Sequence, residues 1–390
     1  MVAGSLEDMP PILITAWDKT YSRVGPVPAF NSCEITFMHN GPGEALFELD
    51  ADHPRVADLA APGARAVLCY TPADLWFSGT VEEVTGAGAA PVATRTFRVR
   101  DDWLDVFQDL VGWPNPDGAL DEQGDEGAYY KVSGKAETVV KDIVAQNATR
   151  CGLHLTTPAS SGLGQDVTVQ VRMHQLWDRL QPAVEQAGLG FRVVQKASPD
   201  RVLEVYEPVT VAAVLTEDSG IVEEGSYKLS PPTVTRVVVG AGGEGVARNF
   251  FQKIDSAAES LWGVKREVFI DARDLNPDEL DPEDLEAEAL ERADEALFEG
   301  AAKSGLQVVL SETDHFRFGS AFNLGDLVSI QLTGAPVLQD RVREVHVEWS
   351  ATDGLLVTPI VGEWTDSTDD KINKVVAAAA KGVRSLRSAL

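Results

Sequence analysis

Short alternating strands constrain this chain more than anything else in it. In the first 115 residues the runs PILITAWD, CEITFMH, EALFELD, RAVLCY, LWFSGTVEEV and RTFRVR are rich in Val, Ile, Phe, Thr and Trp, partly alternate apolar with polar positions, and are separated by Gly, Pro or Asn. Such a run buries one face only, so several must share a core. Close spacing with turn residues between them predicts a small barrel or sandwich. Two short helices interrupt the strands. One is HPRVADL; the other is DDWLDVFQDLV, where Trp103, Phe107 and Leu110 share a face and Asp101 and Asp102 sit at the positive N-terminal end.

The pattern returns later in TVTRVVVG, KREVFID, LQVVLSE, DLVSIQL, DRVREVHVEWS and GLLVTPIVGEW. One clear helix lies among them, with Asp281 as N-cap, Pro282 at the first helical position, Glu283 and Asp284 in the first turn, and an apolar stripe of Leu285, Ala289, Ala293, Leu297 and Ala301. Between the strand-rich regions the composition changes. Residues 113–130 mix Pro, Gly and acids without periodicity, as a connection does. Beyond them AETVVKDIVAQNAT sets Val140, Ile143, Val144 and Asn147 at helical offsets. MHQLWDRLQPAVEQAG does the same with Met173, Leu176, Leu180 and Val184, and Pro182 is expected to kink or shorten that helix. GFRVVQ and RVLEVYEP read as a hairpin that both helices cover, so 131–212 is expected to be an inserted α/β subdomain. Near the C-terminus Ile372, Val375, Ala379, Val383, Leu386 and Leu390 form a heptad seam accompanied by five bases, Lys371, Lys374, Lys381, Arg384 and Arg387. That helix either docks on its own domain, associates with itself, or meets an acidic partner.

A chain of 390 residues is expected to form two or three domains. No run approaches the roughly 18 to 20 apolar residues that span a bilayer, and MVAGSLEDMPP has neither a basic start nor an apolar core, so neither a membrane anchor nor a signal peptide is expected. With 61 acids against 33 bases the formal charge is −28, which speaks against a nucleic-acid reader and fits either a well-solvated surface or an acidic wall past which DNA slides. Cys33, Cys69 and Cys151 are far apart, form no C-x-x-C pair, and read as small buried hydrophobes.

One motif invites a cofactor. VVVGAGGEG places Gly240, Gly242 and Gly245 in a G-x-G-x-x-G pattern after an apolar run, with Val246, Phe250, Ile254, Ala257 and Leu261 following at helical spacing and Asp271 ending the next apolar run. Against a dinucleotide fold stand the long interval to Asp271 and Arg236 within a strand that should be buried on both faces. The half-exposed alternation of later strands also disagrees with it. A glycine turn leaving a barrel strand accounts for the motif better. Asp50, Asp52 and His53, and likewise Glu312, Asp314 and His315, are possible metal ligands by residue type. They lack helical H-E-x-x-H spacing and the ladder of an EF-hand loop, so solvated turns are expected. There is no G-x-S-x-G elbow and no cysteine in a protease context. Trp76, Phe77, Trp103, Trp177, Trp349 and Trp364 read as core aromatics. No catalytic, cofactor-binding or metal-ligating residue is assigned, and no cofactor is expected.

Several stretches in order resemble a family of minor tail proteins of tailed phages of actinobacteria, related to tail-hub or baseplate-hub proteins. They are the N-terminal AWDKTYSRVGPVPAFNSCEITFMHNGPGEALFELDADHPRVADLAAPGARAVL with FSGTVEEV, then AETVVKDIVAQNA, VVVGAGGEGVAR, WGVKREVFIDARDL, FNLGDLVSIQL and RVREVHVEWS. The resemblance implies an α+β, mostly β fold with two small hub β-barrels, an inserted α/β subdomain and a C-terminal helix. The expected boundaries are 1–115 for the first barrel segment, 116–228 for the linker and insert, 229–365 for the second barrel with its one long helix, and 366–390 for the C-terminal amphipathic helix. It implies a structural protein of the virion at the distal end of the tail: a homotrimeric ring that closes the tube, anchors tip or receptor-binding proteins, and opens for genome ejection. The implied partners are two further copies, the distal tail protein ring or tail tube, the tape-measure protein and, in passage only, DNA; no membrane is involved. Because the sequence stops at Leu390, a hydrolase module is not expected by analogy. A tail-associated cell-wall hydrolase and a dinucleotide-binding oxidoreductase are the alternatives.

Overall fold

Alternation in the sequence becomes alternation in burial in the structure, a computed structural model that describes residues 11–362 apart from 90, 91, 124–126, 128, 244, 246, 247, 278–280, 302 and 314. The first strand-rich region supplies β1 (Ile12–Trp17), β2 (Arg23–Pro26), β3 (Ser32–Met38), β4 (Glu44–Asp50), α1 (Val56–Leu59), β5 (Arg65–Tyr70), β6 (Leu75–Ala87), β7 (Thr94–Asp101), α2 (Asp102–Phe107) and β8 (Val111–Gly112). In β3 Cys33, Ile35 and Phe37 turn inward; in β4 Ala45, Phe47 and Leu49 do. Register then puts Phe47 opposite Phe97 of β7, with the rings stacked 5.2 Å apart. Each fully buried Phe, Leu or Ile of this kind stabilises by roughly 1.5–3 kcal/mol.

The insert follows with β9 (Tyr130–Lys135), α3 (Ala136–Arg150), β10 (Asp166–Val171), β11 (His174–Gln175), α4 (Leu176–Ala187), β12 (Gly190–Gln195) and β13 (Arg201–Tyr206). Its core joins Val140, Ile143 and Val144 of α3 to Leu180 and Val184 of α4 and to Phe191, Val193 and Leu203 of the β12–β13 hairpin. Trp103, Val106 and Phe107 of α2 belong to the same cluster. Pro182 does not end α4, which runs on to Ala187. Met173, expected on that helix, lies before it, exposed and with a positive φ of 54°.

Beyond β14 (Thr210–Thr216) and β15 (Val222–Ser230) come β16 (Arg236–Gly240), β17 (Phe250–Ile254), α5 (Ser256–Trp262), β18 (Glu267–Asp271) and α6 (Pro282–Glu299). The chain ends its described part with β19 (Lys303–Leu310), β20 (Leu327–Gln331), β21 (Val337–Ser350) and β22 (Gly354–Val361). The protein is mostly β with few helices, α+β as expected. The chain divides into two compact units, one drawn from residues up to Gly225 and again from Gln307, the other from Ser226–Leu306.

In the first unit β21 pairs antiparallel with β3, so strands from both strand-rich stretches of sequence share one sheet, ordered β15-β19-β22-β21-β3-β4-β7-β6-β5-β1-β2, with β20 joining β21 and β14. Among the described residues this path is open: no pairing links β2 to β15, and no closed barrel is formed.

The second unit is a three-stranded sheet, β17-β16-β18, covered on one face by α6, whose Leu285, Ala289 and Ala293 meet Val237 and Val239. The helix expected over Val246 to Leu261 is replaced by β17, antiparallel to β16, and the short α5. Phe250, Phe251 and Ile254 suit a paired strand, and the Asp255 carboxylate accepts from the Ala258 N–H at 2.8 Å, starting a helix only there. Val246, Asp314, Trp364 and the predicted C-terminal helix 366–390 lie outside the described residues.

Candidate functional site

The first unit contains a buried cluster of charge built from segments far apart in sequence. Asp102 opens α2 and is 1% exposed. Its Oδ2 accepts from Arg65 Nη2 at 2.5 Å and from the Ser78 hydroxyl at 2.6 Å, and its Oδ1 from Arg201 Nη1 at 3.1 Å. Arg201 also donates to Asp105 at 2.7 Å and to the His154 carbonyl at 2.9 Å; Arg65 reaches Gln195 at 3.2 Å. The Gln195 N–H closes the loop on Ser78 at 2.7 Å.

Tyr21 lies beside both guanidiniums, 4.5 Å from Arg65 and 5.4 Å from Arg201. It sits at a positive φ of 60°, a strained position for a residue with a side chain, which two cation–π contacts help to hold. Burial works against the charge on Arg201, but Asp102, Tyr21 and Asp105 outweigh it and hold the guanidinium above its ordinary value. Neighbouring Asp101 is pushed up to about 7 by burial, against the N–H groups of Trp103 and Gly43 that it accepts. Every charge in the cluster is matched, so what the arrangement does is hold: β5, β6 and α2 are tied to β12 and β13 of the insert.

A second polar joint lies where β3 ends. Asn40 donates to the Leu189 carbonyl at 2.8 Å and to His39 Nε2 at 3.2 Å, and accepts from the Phe191 N–H at 2.8 Å. Because Nε2 accepts, Nδ1 carries the proton and donates to the Tyr206 hydroxyl at 2.9 Å. Burial, with Arg343 and Arg341 nearby, depresses His39 to about 3, so the ring is neutral. Space here is tight. A Cβ on Gly190 would come within 2.1 Å of the Tyr206 ring, and one on Gly325 within 2.5 Å of His39 Nδ1. Beside Tyr206 a cavity of about 280 Å³ is lined by Asp74, Arg192, Glu207, Asn323 and Asp326 among others.

The residues singled out by sequence do not converge. Both ring nitrogens of His53 are committed, Nδ1 accepting from the Arg55 N–H at 3.1 Å and Nε2 donating to the Pro28 carbonyl at 2.8 Å; Asp50 accepts from Asn31. Glu312 accepts from the Phe318 N–H, with its carboxyl raised by burial, and His315 is exposed. Among the described residues no group of three or more His, Cys, Asp or Glu is placed to hold a metal. Cys33 and Cys69 are buried, whereas Cys151, also expected inside, is exposed just past the end of α3.

The glycine motif lies in the β16–β17 connection. A Cβ on Gly242 would meet the Leu275 carbonyl at 2.8 Å, and Gly245 has a positive φ of 54°, so these glycines shape backbone. Arg65, Ser78, Gln195 and Arg201 went unnoticed in the sequence. The available signal was polar residues standing in otherwise apolar strands.

A family model described as "Siphovirus ReqiPepy6 Gp37-like protein" matches residues 13–363. Among solved structures, the chain is similar to a tail protein of prophage MuSo2 from Shewanella oneidensis, at 12% identity and a TM-score of 0.53, covering 90% of this chain and 97% of that one. It is likewise similar to prophage tail protein gp18 from Listeria monocytogenes EGD-e, at 11% identity and a TM-score of 0.52, over 95% and 98% of the two chains. A tail protein from Neisseria meningitidis MC58 matches at 11% identity and a TM-score of 0.50, over 90% and 96%. No curated protein matches. At these identities the likenesses speak to fold alone.

Proposed function

The chain belongs to the Siphovirus ReqiPepy6 Gp37-like protein family, and with that premise, which makes it a phage tail protein of the virion, we propose that it is the hub of a long non-contractile tail. Three copies form a ring that closes the distal end of the tube, seats the tip or receptor-binding proteins, and opens for the tape-measure protein and DNA. The family match over 13–363 carries this reading, and the shared fold with three other tail proteins supports it. In this reading 131–212 is an insert between the strand-rich stretches 10–112 and 229–364, whose strands contribute to one open sheet among the described residues, and no catalytic, cofactor-binding or metal-ligating residue is required.

Mechanical work suits the geometry. Matched buried charges set the position of one element against another at little net gain in stability, and they penalise any other arrangement. With 61 acids and 33 bases the chain also offers DNA few cationic contacts, so an acidic lumen lets DNA pass without sticking.

The test is the copy number and place of the chain in assembled tails, by electron cryomicroscopy. Three copies around the axis at the distal tip are expected; a single copy, or a position along the tube, overturns the hub assignment. Carboxylates mapped to the outside of the ring overturn the acidic lumen while leaving the ring intact.

A further inference from the structure

One edge of the first unit's sheet is built unlike its others. Among the described residues β14 pairs with β20 alone, so its far side is an edge. Natural edges are blunted by charge, proline, bulges or shortness. β2 is four residues long and ends in Pro26, and β15 carries Glu223 and Glu224. By contrast the run VTVAAVLT, residues 209–216, holds no charge in a chain where 24% of residues are charged. Only Leu215 of β14 is buried, while Val209 is 58% and Val214 48% exposed. A slip in register between Thr210 and Val214 is all that interrupts it.

This edge starts beside a cavity. The Val209 N–H donates to Asp326 Oδ1 and its carbonyl accepts from the Leu327 N–H, both at 2.8 Å, so the Val209 backbone faces β20. By alternation Thr210 turns its N–H and C=O to the free side. Val209 and Glu207 also line the cavity of about 280 Å³ beside Tyr206. Small-molecule pockets measure roughly 300–1,000 Å³, so a cavity below that range suits one side chain.

Charge says which side chain. The charged lining residues are Asp74, Glu207, Asp326 and Arg192. Arg192 is held on Glu204 at 2.7 Å, and the Asp326 oxygens accept only backbone N–H groups, from Val209 and Asn323. Asp74 accepts from the Trp76 indole, and Glu207 is exposed and pairs with no cation among the described residues. Three carboxylates against one committed guanidinium favour a cation.

We propose that β14 and this cavity together receive an extended segment of a partner protein, which adds a strand at Thr210 and seats a Lys or Arg side chain in the cavity. Backbone pairing gives such a contact its affinity, and the pocket gives it specificity. A second copy of β14 brings no cation, because its run is uncharged and flanked by Glu207, Glu217 and Asp218. All the residues involved belong to the first unit, so the site is independent of the ring.

Fluorescence anisotropy with the full-length chain tests it. The probe is a labelled short peptide that alternates threonine and valine around one central arginine, with glutamate-centred and leucine-centred counterparts. The arginine peptide is expected to bind at least about tenfold more tightly than either counterpart. Asp74→Asn/Glu207→Gln is expected to erase that preference while binding of the leucine peptide stays. Thr210→Pro, which removes the outward N–H, is expected to weaken all three by about fivefold. Equal affinity for the three peptides, or binding of none, overturns the proposal, as does arginine amide bound as tightly as the arginine peptide. A chain that dimerises through this edge, and loses the dimer in Thr210→Pro, assigns the edge to a second copy and overturns it too. Should Thr210→Pro fail to fold, the carboxylate double variant decides.

Discussion

The first unit buries a network of charge, and the ion pairs described in the second are more exposed. In the first, Arg65, Asp102 and Arg201 are 1–3% exposed and satisfied by one another. In the second, pairs such as Lys253–Asp294 and Arg292–Asp274 lie at the surface along α6. A buried network gains little stability, because desolvating the ions offsets their attraction, yet it exacts a large cost when one member is lost. Surface pairs are screened and nearly free to lose. The first unit therefore has a specified arrangement of sheet and insert, whereas the second keeps its fold by apolar packing of α6 on three strands and leaves a face open.

Removing one carboxylate strikes that contrast hardest. Asp102→Ala strands two guanidiniums in the interior, and a loss of about 3–5 kcal/mol is expected in urea unfolding; a loss under 1 kcal/mol would mean that the cluster is wet. Acid comes next. His39 is depressed in the folded protein, so between its ordinary value of 6.5 and about 3 the unfolded chain binds a proton that the folded chain does not. Stability contributed by neutral His39 is thus complete above pH 6.5 and lost as pH falls, by about 2 kcal/mol at pH 5. His39→Gln is expected to flatten this part of the pH–stability curve, and an unaltered slope would place its cause elsewhere.

A pair of glycines sharpens the comparison further. Gly190→Ala drives a methyl into the Tyr206 ring and should cost about 1–3 kcal/mol. At Gly263 in the second unit nothing lies within 4 Å of the added methyl, so only its positive φ of 65° resists, at about 1 kcal/mol. Equal melting temperatures for the two variants would contradict the tight joint around Tyr206. Smallest of all, Lys253→Ala should change stability by no more than about 0.5 kcal/mol, because both members of its pair are exposed. A larger effect would show that the second unit does lean on its surface charges.

Local pattern made much of the fold legible. Period-two runs marked β3, β4 and β7, because one buried face demands alternation, while β5, buried at all six positions, showed as a short apolar run. Asp281 and Pro282 marked the start of α6, because helix ends reward those residue types. β17 was misread because Phe250, Ile254, Ala257 and Leu261 fit a helical spacing, while Asp255 cuts the run in two. β2 and β14 went unread because they are short or exposed and carry little pattern. The polar cluster was illegible for another reason: its members come from residues 21, 65, 78, 102, 195 and 201, and no local spacing links them.

By itself the sequence determined the mostly β class, the inserted helices and the resemblance to tail proteins, since each rests on periodicity, capping or short ordered motifs that act within a few residues. Only the tertiary structure decided that β21 lies beside β3, that Asp102 joins two arginines, and that the G-x-G-x-x-G stretch leads into an antiparallel strand. Strand partners and buried ion pairs are chosen by which distant surfaces exclude water together, and that choice is made over the whole chain at once.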